Sequence, residues 1–268
     1  HCEDPERVKT NEQIFLEKYG SNLSAEHHPY IRDVESCYLS SSLAVDLAKK
    51  YDADLHVFHL TTEKEMELFT SGEVDNKKIT AEVCVHHMHF NNSYYAELGN
   101  QIKCNPSIKM ESDRLALIDA LKGNKIDIIA TDHAPHTWDE KNQDYPSAPA
   151  GLPLVQHGLQ ILMDFYHEGI LSLEMIVEKT SHNVAKRFQI KDRGYIREGY
   201  YADLTVLDLG KPYEVSKENI LYKVGWSPFT GKTFNSSIFM TVVNGHIAFQ
   251  DGKVNDDIPL GMQIEFDR

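Results

Sequence analysis

The sequence predicts an α/β fold organised around a parallel sheet, with a smaller β-rich unit at its C-terminal end. Two observations carry that prediction. Up to about residue 198, short and nearly continuous apolar runs alternate with stretches of helical periodicity, the pattern of strands covered on both faces by helices. From Gly199 onward the texture changes to strand-like segments punctuated by turn dipeptides. Two domains are therefore expected, 1–198 and 199–268.

The opening residues, His1-Cys2-Glu3-Asp4, include neither an initiator Met nor a capping or tail-like polar lead-in, and read as a start in mid-domain. Residues 24–50 suit one long amphipathic helix, with Ile31, Val34, Leu39, Leu43, Val45 and Leu47 on its apolar face and Pro29 tolerated near its first turn. A strand is expected at 54–60, and Thr61 or Thr62 with Glu65 then offers the N-cap and capping box of a helix. The stretch 79–84 repeats the strand signal. After a loop, 111–121 has helical spacing, with Leu115, Ile118 and Leu121 on one face, and 127–130 is another buried strand. Residues 151–166 are expected to be helical, and 172–188 to hold two shorter helices, the second capped by Ser181. In the β-rich end, strands fall at 202–208, 237–243 and 246–249, with Asn244-Gly245 as a hairpin turn and Asp251-Gly252 as a further turn. Three strand–helix units are visible and His1 implies a fourth strand, which together make half of a (β/α)₈ barrel.

Composition excludes several classes of function. Lys and Arg number 27 against 41 Asp and Glu, and a net charge of −14 repels nucleic acid and anionic membrane surfaces. No run of 18 apolar residues and no signal-peptide pattern is present, so the expected location is the cytoplasm. Cys2, Cys37, Cys84 and Cys104 are too irregularly and widely spaced for a disulfide framework or a CxxC zinc knuckle, and are expected as reduced thiols.

The most informative stretch is Ala130-Thr131-Asp132-His133-Ala134-Pro135-His136-Thr137, a carboxylate and two imidazoles directly after a buried strand. Barrel active sites lie at the C-terminal ends of the strands, where metal ligands and proton-transfer groups belong. The competing reading is that Asp132 caps a turn and the histidines lie at the surface. His59 also ends an expected strand and could bind a metal, although a lone strand-end histidine is more often hydrogen-bonded structure. His1 carries the same ambiguity, and His56 is assigned to structure. His86, His87 and His89 form the densest histidine cluster; on an extended segment His86 opposes the other two and no carboxylate accompanies them, so a structural role is expected. Asn105, preceding Pro106, should be extended and present its amide to the barrel mouth, or simply close a turn. Free backbone N–H groups at Ala150-Gly151, ahead of a helix, could grip a carboxylate, or belong to an ordinary loop.

Taken together, these pieces resemble dihydroorotase of the monofunctional bacterial kind, within the amidohydrolase superfamily. The resemblance rests on seven landmarks in order: His1-Cys2-Glu3-Asp4; His28-Pro29 through Arg32 and Glu35 to Ser41; Leu55 to Thr62; Glu82-Val83 to His87; Asn105 to Lys109; Ala130 to His136; and Gly199 through Ala202-Asp203-Leu204. Trp226-Ser227-Pro228-Phe229 with Gly231-Lys232 is similar to the family's tail. The resemblance implies a distorted (β/α)₈ barrel with a β-sandwich subdomain and a binuclear zinc centre. By matching motifs, His1 and His59 would ligate one zinc, and Asp132 would ligate the other and act as catalytic acid and base. Asn105, His136 and the backbone at Ala150 and Gly151 would contact substrate. The implied reaction is reversible hydrolysis of dihydroorotate to N-carbamoyl-L-aspartate, in a homodimer.

The family's first-strand His-x-His pair, its companion arginine and its bridging ligand would lie upstream of His1, so the chain is expected to be N-terminally truncated, with an incomplete ligand set, and inactive by itself. Ala150 stands where a bulkier residue is usual, and Ser107 where a second proline is common. The rivals are a dihydropyrimidinase or allantoinase on the same fold, which the second histidine of the Asp132 motif disfavours, and a non-catalytic scaffold, which would lose ligands by substitution.

Overall fold

Short β-branched runs flanked by polar residues become the three strands of a parallel sheet: β1 (Leu55–Val57), β2 (Ile79–Cys84) and β3 (Ile128–Ala130), in the order β1-β2-β3. The computed structural model describes residues 1–255 and 261–268. Leu55 pairs with Ile79 and Val57 with Ala81, while Glu82 pairs with Ile128 and Cys84 with Ala130. Ala81, Val83, Cys84, Ile128 and Ile129 are buried, as expected of a sheet covered on both faces. The register is held by a buried acid. Asp127 donates its N–H to Ala81 O at 2.9 Å, and its Oδ2 accepts from Ala81 N at 3.0 Å. Lys77 Nζ neutralises it, 2.7 Å from Oδ1, with both side chains almost wholly out of solvent.

The helices differ from the expectation in instructive ways. Helix α1 (Pro5–Tyr19) was not anticipated. Asp4, expected to cap nothing, is its N-cap and accepts from Arg7 N at 2.8 Å, with Pro5 at N1, a favoured start. None of its residues is buried, so no apolar stripe announced it. The single helix expected over 24–50 is instead α2 (His28–Ile31) and α3 (Val34–Tyr51). Asp33 separates them as the N-cap of α3, accepting from Ser36 N at 2.9 Å and pairing with Arg7. The buried face of α3 is Ser36, Cys37, Ser41, Val45 and Ala48, and Leu39, Leu43 and Leu47 form an exposed stripe on another side.

Thr62 and Glu65 form the expected cap, with Thr62 Oγ1 donating to Glu65 Oε2 at 2.9 Å, but the turn that follows, Lys64–Leu68, is 3₁₀ rather than α. Directly after β2 comes α4 (Val85–His89), where an extended segment was expected. It is followed by α5 (Tyr95–Leu98), α6 (Glu111–Lys122), which matches the reading at 111–121, and α7 (Trp138–Lys141), whose capping box joins Thr137 to Glu140. The helix expected from Gly151 begins only at Gly158, as α8 (Gly158–His167). The two helices expected at 172–188 are α9 (Leu173–Val177), capped by Ser172, and α10 (Asn183–Phe188), joined by a π turn, Glu178–His182. Ser181 lies inside that turn and caps nothing.

The β-rich end follows the sequence closely. Strands β4 (Leu204–Asp208), β7 (Ser237–Val243), β8 (His246–Gln250) and β9 (Lys253–Val254) form an antiparallel sheet in the order β4-β7-β8-β9, and β5 (Tyr213–Glu214) pairs with β6 (Thr233–Phe234). Asn244 and Gly245 both take positive φ, 51° and 81°, as a two-residue hairpin turn requires. By packing, the chain divides into two units, His1–Gly158 with Leu221–Pro228, and Leu159–Ile220 with Phe229–Arg268.

Removing the buried acid tests the account of the sheet. Asp127→Ala leaves the Lys77 ammonium buried and unpaired, and should cost about 3–5 kcal/mol in urea unfolding; a loss below about 1 kcal/mol would show that this pair does not hold the register.

Candidate metal and catalytic site

The three parallel strands deliver their chemistry at their C-terminal ends. His59 follows β1 and Asp132 follows β3, and both leave their strands in the left-handed region, with φ of 40° and 48°. For residues with a β-carbon this conformation costs about 1 kcal/mol or more, and it gathers at sites where a side chain must be aimed. His1 reaches the same place from the chain's start. Its Nδ1 lies 3.2 Å from His59 Nε2, and its Nε2 lies 2.9 Å from Glu3 Oε2, which Arg32 Nη1 also approaches at 2.5 Å. Glu3 is buried, and so is His59, whose Nδ1 finds no hydrogen-bond partner.

The electrostatics join Asp132 to this pair. Burial pushes the His59 imidazole below its ordinary pKa, and the charge of Asp132 acts in the opposite sense. The carboxyl of Asp132 is pushed up, chiefly by desolvation; Glu82 adds to the rise and His59 opposes it. A cation held between them would reverse the sign for Asp132, since an adjacent positive charge favours the carboxylate. The spacing of His1 and His59 fits a tetrahedral metal ion such as zinc. Two imidazole nitrogens bound to one tetrahedral zinc would sit about 3.4 Å apart, given bonds of about 2.0–2.1 Å, close to the separation between His1 and His59.

The remaining motif residues sort by their partners. His133 accepts from Leu154 N at 2.9 Å and Val155 N at 3.2 Å through Nδ1 and stacks on Tyr222, so it fixes the following loop. His136 donates from Nε2 to Ala150 O at 3.1 Å, and its own carbonyl accepts from Trp226 Nε1 at 2.8 Å. Gly151 has φ of 137°, and a β-carbon there would come within 2.4 Å of Ala134 O and 3.1 Å of His136 Cδ2. Only glycine lets the two loops close against each other. Its N–H is engaged, donating to Lys103 O at 2.8 Å, so it is not the free donor expected from the sequence.

Asn105 and Ala150 line one cavity of about 210 Å³ together with His28, Arg32, Lys103 and Tyr145. His28 holds Asn105 in place: its Nε2 lies 2.8 Å from Cys104 O and 3.1 Å from Asn105 Oδ1, and its Nδ1 lies 2.7 Å from Tyr145 OH. Sequence reasoning missed His28, Arg32, Lys103 and Tyr145. The signal for His28 and Arg32 lay in the His28-Pro29 to Glu35 landmark, whereas nothing local marked Lys103 or Tyr145. His86 and His87 are buried on α4 rather than extended, and with Cys84 they make a group of potential metal donors.

The amidohydrolase family profile matches residues 42–248. The chain is 33% identical over 254 residues to a dihydroorotase of Methanosphaera stadtmanae, covering 95% of this chain and 58% of that protein. To a dihydroorotase of Carboxydothermus hydrogenoformans it is 35% identical over 262 residues, covering 93% and 57%. Among solved structures, an L-hydantoinase (dihydropyrimidinase) from Arthrobacter aurescens superposes with a TM-score of 0.87 at 22% identity, covering 95% of this chain and 57% of that one. A dihydropyrimidinase from Brevibacillus agri gives 0.84 at 20% with the same coverages, and at these identities the likeness is one of fold. The chain thus spans a little under three fifths of the length of these relatives.

Two outcomes follow from the site. Gly151→Ala should lower stability by about 1–3 kcal/mol and loosen the contact between His136 and Ala150, through strain at positive φ and the clash with Ala134 O; an unchanged urea midpoint would refute the close approach. Burial holds His28 down to about 3, so the unfolded chain takes up its proton first as the pH falls below 6.5. Stability from His28 is therefore full above about 6.5 and drains toward 3, by up to about 1.4 kcal/mol per pH unit. Urea midpoints at pH 7 and pH 5 read it, and the difference should shrink in His28→Gln.

Proposed function

Since this chain belongs to the amidohydrolase family, we propose that it supplies the active-site residues of a dihydroorotase, catalysing reversible hydrolysis of (S)-dihydroorotate to N-carbamoyl-L-aspartate in pyrimidine biosynthesis. The observation that carries the reading is the convergence of His1, His59 and Asp132 beside the C-terminal ends of parallel strands, in a chain about one-third identical to proteins named dihydroorotase. In this reading the three strands are part of a distorted (β/α)₈ barrel formed by 1–198, and 199–268 is its β-sandwich subdomain. The intact subunit holds two zinc ions, His1 and His59 ligating one and Asp132 the other. The remaining ligands come from chain preceding His1, a reading consistent with the partial coverage of the relatives. A homodimer in the cytoplasm completes the proposal, and the exposed Leu39, Leu43 and Leu47 stripe is suited to burial in such an assembly.

Bound zinc would polarise the amide carbonyl and make water acidic near neutral pH. The chain's own groups do the rest. The Asp132 carboxylate takes a proton from the attacking water and returns it to the ring nitrogen as the amide bond breaks. In the biosynthetic direction the same carboxyl assists ring closure with loss of water. Asn105, oriented by His28, and His136, anchored on Ala150 O, contact the substrate, and Gly151 serves by letting the two loops close. Arg32 and Lys103 line the cavity beside Asn105, and as cations they suit a carboxylated ring better than the uncharged dihydrouracil, although Glu12 lines it too and Glu3 pairs with Arg32.

In the full-length enzyme, Asp132→Asn should abolish turnover of dihydroorotate while leaving the fold intact, and retention of more than a few per cent, on the order expected from general acid–base losses of 10²-fold or greater, would defeat the assigned role. Wild-type enzyme that turns over dihydrouracil but not dihydroorotate would instead favour the dihydropyrimidinase reading.

A further inference from the structure

We propose that Cys84, His86 and His87 form a buried site for a soft divalent cation of the zinc type, using none of the residues His1, His59 or Asp132. The β2-to-α4 turn builds it. Cys84 is the last residue of β2 and the N-cap of α4, and His86 and His87 lie in the first turn of that helix. The turn brings one donor atom from each of the three residues within 4.8 Å of the others.

The second observation is chemical. Among the described residues, His86 is fully buried and neither of its ring nitrogens has a hydrogen-bond partner, and His87, 3% exposed, has an unpartnered Nδ1. A buried imidazole must carry a proton on one nitrogen and a lone pair on the other, and leaving such a group unmet costs about 1–3 kcal/mol. Orphans of this kind call for an ion or an ordered water. The donor set favours an ion. His87 Nε2 lies 3.1 Å from Pro106 O, so the Nε2–H donates to that carbonyl and Nδ1 keeps its lone pair. This is the arrangement in which metal-binding histidines are held, one nitrogen on a backbone carbonyl and the other on the metal.

A thiolate with two imidazoles is a zinc donor set, and three protein donors leave one tetrahedral position for solvent. Burial holds the His86 imidazole down to about 3, so it is neutral at pH 7, with one ring nitrogen offering a lone pair. The Cys84 thiol is pushed up by burial, so it keeps its proton until the cation displaces it to solvent as the sulfur–metal bond forms. The expectation from sequence that these histidines are structural rested on an extended backbone and a missing carboxylate. The helix changes the first premise, and a thiol stands in for the second.

Zinc-edge X-ray absorption on the full-length, zinc-loaded protein tests the site, because the set His1, His59 and Asp132 contains only nitrogen and oxygen donors. The expected result is a sulfur shell at about 2.3 Å in the wild type. It should vanish in Cys84→Ser with loss of about one metal equivalent, and persist in Cys104→Ser. A wild-type spectrum with nitrogen and oxygen alone, as a water-filled cluster would give, overturns the proposal, as does a sulfur shell that survives Cys84→Ser. Should Cys84→Ser fail to fold, His86→Gln, which keeps the thiol, must lose the same sulfur signal and metal equivalent; retention of both overturns it.

Discussion

The buried Asp127 is the constraint on which the C-terminal end of the parallel sheet depends. Its N–H donates to Ala81 O, its carboxylate accepts from Ala81 N and is neutralised by Lys77, so the register of β2 against β3 has one low-energy solution. A slip of one residue would invert every side chain of β3 and leave the acid without its amide. With the register fixed, Cys84 stands opposite Ala130, and Asp132 follows two residues later at the same end of the sheet as His59. The ion pair lies at the N-terminal end of β3, and His59 and Asp132 lie at the opposite end of the sheet, where barrel enzymes place their active sites.

What the strands deliver, the loops then aim. His59 and Asp132 both accept a left-handed backbone, and that strain persists because the following residues are anchored: Leu60 N donates to Glu82 O at 2.9 Å, and Ala134 N to Leu152 O at 3.0 Å. Beyond Asp132, each side chain of the motif is tied to a later loop, His133 to Leu154 and Val155, His136 to Ala150. Gly151 is the point of closest approach and the reason those ties can form. Within the motif, His133 and His136 are thus tied to the 150–155 loop, while the carboxyl of Asp132 is coupled electrostatically to His59.

Much of this was legible in the sequence where a residue type has only one good local use. The strands 79–84 and 127–130, the helix at 111–121 and the Asn244-Gly245 turn follow from apolar runs and turn chemistry. His59 and Asp132 were legible as strand-end residues, whereas His1, expected to end a fourth strand, lies in irregular chain ahead of α1 and was singled out by the family resemblance. What was hidden depended on partners distant in sequence or on helices without an apolar stripe. Helix α1 buries nothing, so only Asp4 and Pro5 marked its start. The break at Asp33 is set by a cap and by Arg7, 26 residues away. The leucines of α3 suggested a core face, yet the buried face is built from serine, cysteine, valine and alanine, because small side chains let a helix pack closely. Lys103 and Tyr145 meet at the cavity only through tertiary folding.

Unmet polar atoms make the same distinction between scaffold and site. The buried acids Asp127 and Glu65 are satisfied, the latter by Ser41 at 2.5 Å and Thr62 at 2.9 Å, and both serve the framework. Among the described residues, unsatisfied atoms occur in Glu3, His59, His86 and His87, beside the strand ends or the residues that meet them, and also at Asn100 Oδ1, away from the sheet. A framework under selection for stability would replace such groups with apolar ones of similar size, since an unpaired buried donor is more costly than none. At His59, His86 and His87, unmet ring nitrogens near the strand ends are what the proposed cation sites require: a lone pair kept from water and without a competing protein partner until an ion arrives.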